Sequence, residues 1–189
     1  MLAADFSAIA ERAADEIRAA TQAVDPAQLL DMVAEIAAAK RILVYGVGRE
    51  GLMLRALAMR LYHLGLDAHV VGDMSAPPVG PGDLLLVSAG PGSFSTVNGL
   101  IGVARLAGAR AACITAQPDG TAPQSCDRVL LILAQTMADD LQPRQTSVLP
   151  MGSLFEGAQY LTFELLVLAL RDHLAIPAEA MRARHTNME

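Results

Sequence analysis

Short, continuous apolar runs alternate along the chain with longer stretches in which apolar residues recur every three or four positions. The runs at 84–87 (Leu-Leu-Leu-Val) and 129–133 (Val-Leu-Leu-Ile-Leu) contain no polar residue. Such runs are typical of strands that are buried on both faces in a parallel sheet, and the longer stretches have the helical period. The alternation therefore predicts an α/β fold, doubly wound, with helices on both faces of the sheet.

Two helices are predicted before the first strand. The second has a start signal, because Asp25 is a cap residue, Pro26 stands at the first helical position and Gln28 at the third. The predicted strands lie at 41–45, 68–72, 83–88, 111–116 and 128–133. The predicted helices lie at 2–24, 26–38, 50–64, 93–107, 120–125 and 153–173, with a last one from 177 onward. Segment 134–147 is polar and is predicted to be a loop.

We interpret residues 1–189 as one domain, with N-terminal helices at 1–40, a sheet core at 41–133 and C-terminal helices at 148–189. The helix predicted at 153–173 is apolar nearly all round, so we expect it to be buried between subunits as well as against the sheet. Its most apolar part, 161–170, is shorter than the roughly 20 residues that cross a bilayer. We therefore expect a homo-oligomer and no membrane span.

The composition and charge argue against several classes of protein. Hydrophobic residues make up 53% and charged residues 18% of the chain, which argues against disorder. The net charge is -6 with no basic run, so nucleic acid is not an expected partner. Two cysteines without a paired spacing fit a reduced compartment, and the N-terminus lacks the basic region of a signal peptide. We expect a cytoplasmic protein.

Two glycine-bearing loops follow predicted strands and open predicted helices. The first is Gly-Val-Gly-Arg-Glu-Gly at 46–51, and the second is Ser-Ala-Gly-Pro-Gly-Ser-Phe-Ser-Thr at 88–96. Glycines there let the backbone approach a ligand, and the free amides and dipole of the helix favour an anion. Both loops stand at carboxyl ends of strands, where such sheets bind ligands. They predict a binding site for a phosphorylated or oxygen-rich small molecule, formed by Gly46, Gly48, Arg49, Glu50, Ser88, Gly90, Ser93, Ser95 and Thr96.

A dinucleotide-binding protein is an alternative interpretation. The first loop fits the Gly-x-Gly-x-x-Gly pattern after a strand, and Asp73 ends the next strand, where an acid could bind a ribose. The hydroxyl-rich second loop has no role in that interpretation.

Six segments resemble, in order, the 6-phospho-3-hexuloisomerases, which are sugar isomerase (SIS) domain proteins. The likeness runs from about residue 28 to the end of the chain. Its most specific segments are Pro-Met-Gly-Ser-Leu-Phe-Glu at 150–156 and Arg-His-Thr-Asn-Met-Glu at 184–189, and the others lie at 46–49, 58–65, 70–73 and 80–85. The resemblance implies a five-stranded parallel sheet, a tetramer, no metal and no organic cofactor. It also implies interconversion of 3-hexulose 6-phosphate and fructose 6-phosphate through an enediol.

The resemblance assigns Glu156 as the catalytic base and His185 as a histidine that reaches the site of a neighbouring subunit. Each residue has an alternative role. Ser153 and Glu156 have the spacing of a capping box, in which the carboxylate would only bond a backbone amide. A histidine near a chain end is usually solvated.

The chain departs from the family pattern in both loops. Pro91 removes an amide donor and Phe94 adds an apolar ring in the phosphate-binding loop, and Glu50 stands where family members commonly have serine. A carboxylate ~4 Å from a phosphate would repel it by about 4 kcal/mol at an effective dielectric of about 20. We therefore expect Glu50 to turn away and pair with Arg49 or Arg55. If it does not, the ligand differs, or the protein binds a sugar phosphate without turnover.

Overall fold

The computed structural model describes residues 3–139 and 147–188. Its elements follow the predicted order. The strands are β1 (Ile42–Gly46), β2 (Ala68–Val70), β3 (Leu84–Ser88), β4 (Arg110–Thr115) and β5 (Arg128–Leu131). The helices are α1 (Ala3–Gln22), α2 (Pro26–Ala38), α3 (Gly48–His63), α4 (Ser95–Leu106), α5 (Thr121–Gln124), α6 (Ser153–His173) and α7 (Ala178–Ala183).

The five strands form one parallel sheet in the order β2-β1-β3-β4-β5. From β1 the chain moves outward to β2 and then returns to place β3 on the other side of β1. The strand order therefore reverses between β1 and β3, which is the position of the ligand crevice in such sheets. Gly46 at the end of β1 is in register with Ser88 at the end of β3, so both glycine loops leave the sheet at this crevice.

Helices cover both faces of the sheet, as the apolar runs predict. Ile42 and Val44 of β1 lie in a core formed with α2, α3 and α6. Leu43, between them, lies in a second core formed with α4 and α5. Successive side chains of a strand point to opposite faces, so a run without polar residues supplies both cores at once.

The predicted ends of several elements differ from the observed ends by one or two residues. The predicted cap of α2 is confirmed. The Asp25 carboxylate accepts a hydrogen bond from the amide of Ala27 at 2.8 Å. Gln28 has another role, because its side-chain oxygen accepts from the amide of Leu131 at 3.0 Å and so ties α2 to β5. Of the predicted loop at 134–147, residues 140–146 lie outside the described residues.

The long apolar helix α6 has the predicted bounds and two unequal faces. One face is buried against α1, α2 and α3. The other exposes Tyr160, Leu161, Leu165 and Leu168 by 39–49%. The helix α6 has 21 residues and contains an 18-residue window with a mean hydropathy of 1.2, so it meets the length and composition of a membrane span, which segment 161–170 alone does not show. Because α6 packs against three helices, its apolar composition is explained by its place in the core.

Candidate active site

A cavity of about 320 Å3 opens at the crevice between β1 and β3. Its walls come from three parts of the chain. The first turn of α3 supplies Val47, Gly48, Arg49 and Glu50; the start of α6 and the turn before it supply Pro150, Met151, Gly152, Ser153, Phe155 and Glu156; and Phe94, Thr136 and Met137 complete the lining. Four of the predicted site residues thus share one cavity: Gly48, Arg49, Glu50 and Glu156.

Arg49 joins the two helices that form the cavity. Its Nη2 donates to the carbonyl of Met151 at 3.1 Å and to the hydroxyl of Ser153 at 2.9 Å. The same nitrogen lies 2.6 Å from Oε2 of Glu156. Because α3 begins directly after β1, the ion pair fixes the Glu156 carboxylate relative to the sheet.

The turn before α6 has an unusual backbone. Met151 has a φ of 53° and Gly152 a φ of 79°, so two successive residues lie in the left-handed region. A residue with a side chain costs roughly 1–2 kcal/mol there, and such strain clusters at functional sites. In this conformation the Met151 carbonyl is placed within reach of Arg49.

The capping-box interpretation of Ser153 and Glu156 is wrong. The residue that caps α6 is Gly152, and no side chain bonds to the cap amides. Ser153 is already the first helical residue, so its hydroxyl is free to accept from Arg49. The Glu156 carboxylate therefore faces the cavity and pairs with Arg49.

Glu156 is partly shielded from solvent. Burial raises the pKa of its carboxyl, and the charge and hydrogen bond of Arg49 lower it by less. A raised pKa makes a carboxylate a stronger base, and the arginine keeps it in place. The arrangement is suited to removing a proton from a substrate in the cavity.

Among the described residues Glu50 pairs with no arginine, so the expected pairing with Arg49 or Arg55 is wrong. Arg49 is held by Glu156, and Arg55 lies 3.2 Å from Asp73. Glu50 is buried, and its Oε2 accepts hydrogen bonds from the hydroxyl of Ser88 and, at 2.9 Å, from the amide of Gly90. Its position on the first turn of α3 directs the side chain toward the end of β3. Burial raises the pKa of Glu50, its two hydrogen bonds lower it, and the charge of Glu156 raises it further.

Ser88 and Gly90 support Glu50, and the structure does not place them in the cavity wall. Ser88 is fully buried, and its hydroxyl also accepts from the side-chain amide of Gln159 at 2.8 Å. A Cβ at Gly90 would lie 2.9 Å from Oε1 of Glu50 and 3.0 Å from the ring of Phe155. Gly90 therefore leaves the room that the Glu50 carboxyl occupies.

The remaining hydroxyls of the second loop lie at the start of α4. Ser93 accepts from Asn98 at 3.0 Å and from Thr121 at 2.8 Å, which ties the loop to α5. Ser95 and Thr96 are exposed, and α4 begins after Phe94 with no side-chain cap hydrogen bond among the described residues. An uncapped helix start has amides that can bind an anion. Of this loop, only Phe94 reaches the cavity lining.

Gly46 has a structural place in the first loop. Its carbonyl oxygen would lie 2.4 Å from a Cβ at Gly51, so the two glycines let β1 and α3 meet closely. Gly46 is not part of the cavity lining.

Within one folded chain, the His185 side chain lies far in space from Glu156. Its ring stacks on the ring of His63, which is the last residue of α3, and the two ring centroids are 5.4 Å apart. Arg49 lies at the first turn of the same helix, which has 16 residues. At ~1.5 Å per residue, the two ends of α3 are about 22 Å apart. The fold of one chain does not bring His185 to the cavity.

The sequence does not mark seven of the lining residues as site candidates. Thr136 and Met137 fall in the predicted loop, which carries no motif. The other five, Val47, Pro150, Met151, Gly152 and Phe155, lie within the segments 46–51 and 150–156 without a predicted role of their own. In the described ranges, no three His, Cys, Asp or Glu side chains are grouped as metal ligands are.

Comparisons with known proteins identify the family of the chain. The SIS domain model matches residues 35–158. A 3-hexulose-6-phosphate isomerase of Mycobacterium gastri is 39% identical over 175 residues, which cover 93% of this chain and 87% of the relative. A protein of the same name from Bacillus subtilis is 30% identical over 154 residues, with coverages of 82% and 83%.

A solved structure has the same fold. It is a hypothetical protein of Methanococcus jannaschii, for which the function of a 3-hexulose-6-phosphate isomerase has been inferred. It is 24% identical, with a TM-score of 0.80, and the match covers 95% of this chain and 98% of that one. The chain belongs to the SIS domain family, in the 3-hexulose-6-phosphate isomerase-like branch, and is an isomerase.

Proposed function

We propose that the protein interconverts 3-hexulose 6-phosphate and fructose 6-phosphate, with Glu156 as the catalytic base. The names of its relatives support this substrate class. The observation that carries the proposal is the Glu156 carboxylate, which lines the cavity and is held by Arg49 at 2.6 Å. The reaction moves a carbonyl between adjacent carbons. It therefore needs a base beside the carbon that loses its proton.

The phosphate of the substrate binds at the start of α4. The uncapped amides there and the hydroxyls of Ser95 and Thr96 are donors suited to an anion. The Glu50 side chain already occupies the hydroxyl and amide donors that a phosphate beside the start of α3 would need. The sugar carbons then lie toward Glu156, with Phe94 between the two positions and the backbone of Gly48 in the wall.

His185 acts from a neighbouring subunit of a homotetramer, where it hydrogen-bonds an oxygen of the substrate. Apolar side chains exposed on α6, such as Leu161, Leu165 and Leu168, recur at helical spacing and form one stripe. Phe6 of α1 is 66% exposed as well. Apolar surface of this kind supports contact between subunits. We expect the tetramer to act in the cytoplasm.

Turnover and subunit mixing test this function. Purified protein should convert either sugar phosphate into the other. Glu156→Gln should lower kcat by about 10² or more with little change in KM, since a base acts mainly in the transition state. His185→Ala should also lose activity, and mixed oligomers of the two variants should regain part of it.

Three results would contradict the proposal. If Glu156→Gln is fully active, the base lies elsewhere. If mixing restores nothing, or sedimentation shows a monomer, His185 does not act across subunits. A native protein that is stabilised by sugar phosphates without turning them over is a binding protein, and one stabilised only by NAD is the dinucleotide-binding alternative.

A further inference from the structure

Glu50 is a second carboxyl in the cavity, and the reaction proposed above does not use it. It lines the same cavity as Glu156, although it is 7% exposed. Both hydrogen bonds that it accepts from the described residues end on Oε2. Oε1 lies on the side of Gly90, where a Cβ would come within 2.9 Å of it. The two oxygens of this carboxyl therefore have different surroundings.

We propose that Glu50 is a second catalytic residue, which protonates the substrate's carbonyl oxygen from Oε1 while Glu156 removes the carbon-bound proton. The inference rests on the proposed function. It follows first from the hydrogen bonds. Oε2 already accepts from the hydroxyl of Ser88 and the amide of Gly90, so the proton of a neutral Glu50 belongs on Oε1.

The partners of the two carboxyls divide the roles of base and acid between them. Glu156 is paired with a cation, Arg49, which favours its ionised form. The two donors that Glu50 meets are an uncharged hydroxyl and an uncharged amide. Two carboxyls in one site with such different environments titrate apart, and the one that keeps its proton serves as the acid.

The charges around Glu50 act in the same direction. Burial raises the pKa of Glu50 and the negative charge of Glu156, on α6, raises it further, against the hydrogen bonds from Ser88 and Gly90, which lower it. Cys113 lies on β4, and the pKa of its thiol is raised by its hydrogen bond with Cys126 and by burial, and less by the charge of Glu50. Arg49 is adjacent in sequence, but its Nη2 lies on Glu156. The groups that face Glu50 thus favour its protonated form.

The proton transfers balance over one turnover. Glu156 takes the proton from the hydroxyl-bearing carbon next to the carbonyl, and the C–H electron pair forms the carbon–carbon double bond. The carbonyl electron pair moves to oxygen, which takes the proton from Glu50, and an enediol results. Glu50, now ionised, then takes the proton from the other enediol oxygen as the new carbonyl forms. Glu156 returns its proton to the former carbonyl carbon, and both carboxyls regain their initial states.

Glu50→Gln separates this role from a structural one. The amide can accept the same two hydrogen bonds from Ser88 and Gly90 and fills the same space, but it cannot deliver a proton. The matched control is Asp67→Asn, another carboxyl-to-amide change. Asp67 lies beside Arg41 at the amino-terminal end of β2, whereas the cavity lies at the carboxyl ends of the strands. The experiment measures kcat, KM, melting temperature and the pH profile of kcat/KM for both variants and the wild type.

We expect Glu50→Gln to lower kcat by about 10² or more, with KM within a few-fold and the fold intact. The wild type and Asp67→Asn should lose kcat/KM as pH rises through the raised pKa of Glu50, and Glu50→Gln should lack this loss. A Glu50→Gln variant with native kcat, or one that keeps the loss at rising pH, overturns the role of Glu50 and leaves the isomerase proposal in place. A wild-type profile without a loss at rising pH overturns it too, even if the variant fails to fold. No turnover by the wild type overturns both proposals.

Discussion

The two glycine loops have similar sequence patterns and different chemistry in the fold. Each follows a buried strand and opens a helix at the same crevice. The first passes from Gly46 to α3 at Gly48 and brings its own carboxylate, Glu50, onto the hydroxyl and amide at the end of β3. The second takes six residues to reach α4, whose first turn no side chain caps.

This difference shows that a glycine loop at a helix start does not by itself identify an anion site. At the first loop, an acid of the chain occupies donors that a ligand would otherwise use. At the second loop, no side-chain cap among the described residues takes up the donors of α4. We therefore propose that the phosphate binds at the second loop and that the first loop contributes to proton transfer.

The largest expected effect comes from closing the space inside the first loop. In Gly51→Ala, the new Cβ would lie 2.4 Å from the carbonyl oxygen of Gly46, which is backbone and cannot rotate away. We expect a loss of about 3 kcal/mol of unfolding free energy, measured by urea denaturation. Gly99→Ala, in α4, is the control, because a Cβ there meets nothing within 4 Å. It should gain up to about 1 kcal/mol, and equal stability of the two variants would refute the packing argument.

The next effect tests the phosphate position at the second loop. Ser95→Ala combined with Thr96→Val removes two exposed hydroxyls from the first turn of α4. Hydrogen bonds to a charged group contribute about 1.5–3 kcal/mol each, so KM for the sugar phosphate should rise at least about tenfold. Ser125→Ala, which removes an exposed hydroxyl after α5, should leave KM unchanged. If both changes have the same small effect, the phosphate binds elsewhere.

The smallest expected effect is a change in the pH dependence of stability when Glu50 of the first loop is replaced. The pKa of Glu50 is raised in the folded state, so its contribution to stability is full below its unfolded pKa and is lost as pH rises through the folded pKa. Glu50→Gln removes this titration, while Glu156 titrates in both proteins. Melting temperatures from about pH 5 to about pH 9 should therefore shift in favour of the variant as pH rises. A difference that stays constant would mean that Glu50 is not buried in the folded protein as described.

The order of elements follows from the sequence because it depends on local spacing. Apolar runs without polar residues predicted the strands, and the helical period predicted α6 from Ser153 to His173 to the residue. The Asp25 cap was predicted for the same reason, since its partner, Ala27, is two residues away. Where a residue meets a distant partner, the prediction was incomplete. Gln28, expected to help start α2, instead bonds β5, 103 residues along the chain.

The sequence also determined which residues were candidates for the site, and the tertiary structure decided which partners they meet. Glu50 meets Ser88 and Gly90, 38 and 40 residues away, and Arg49 meets Ser153, 104 residues away. No spacing rule within a helix or strand connects positions so far apart. Each pairing exists because β1 lies beside β3 and because α6 packs on α3. The chain alone therefore determined the strands, the helices and the two loops, whereas the packing of those elements decided that Glu50 turns inward while Arg49 holds Glu156.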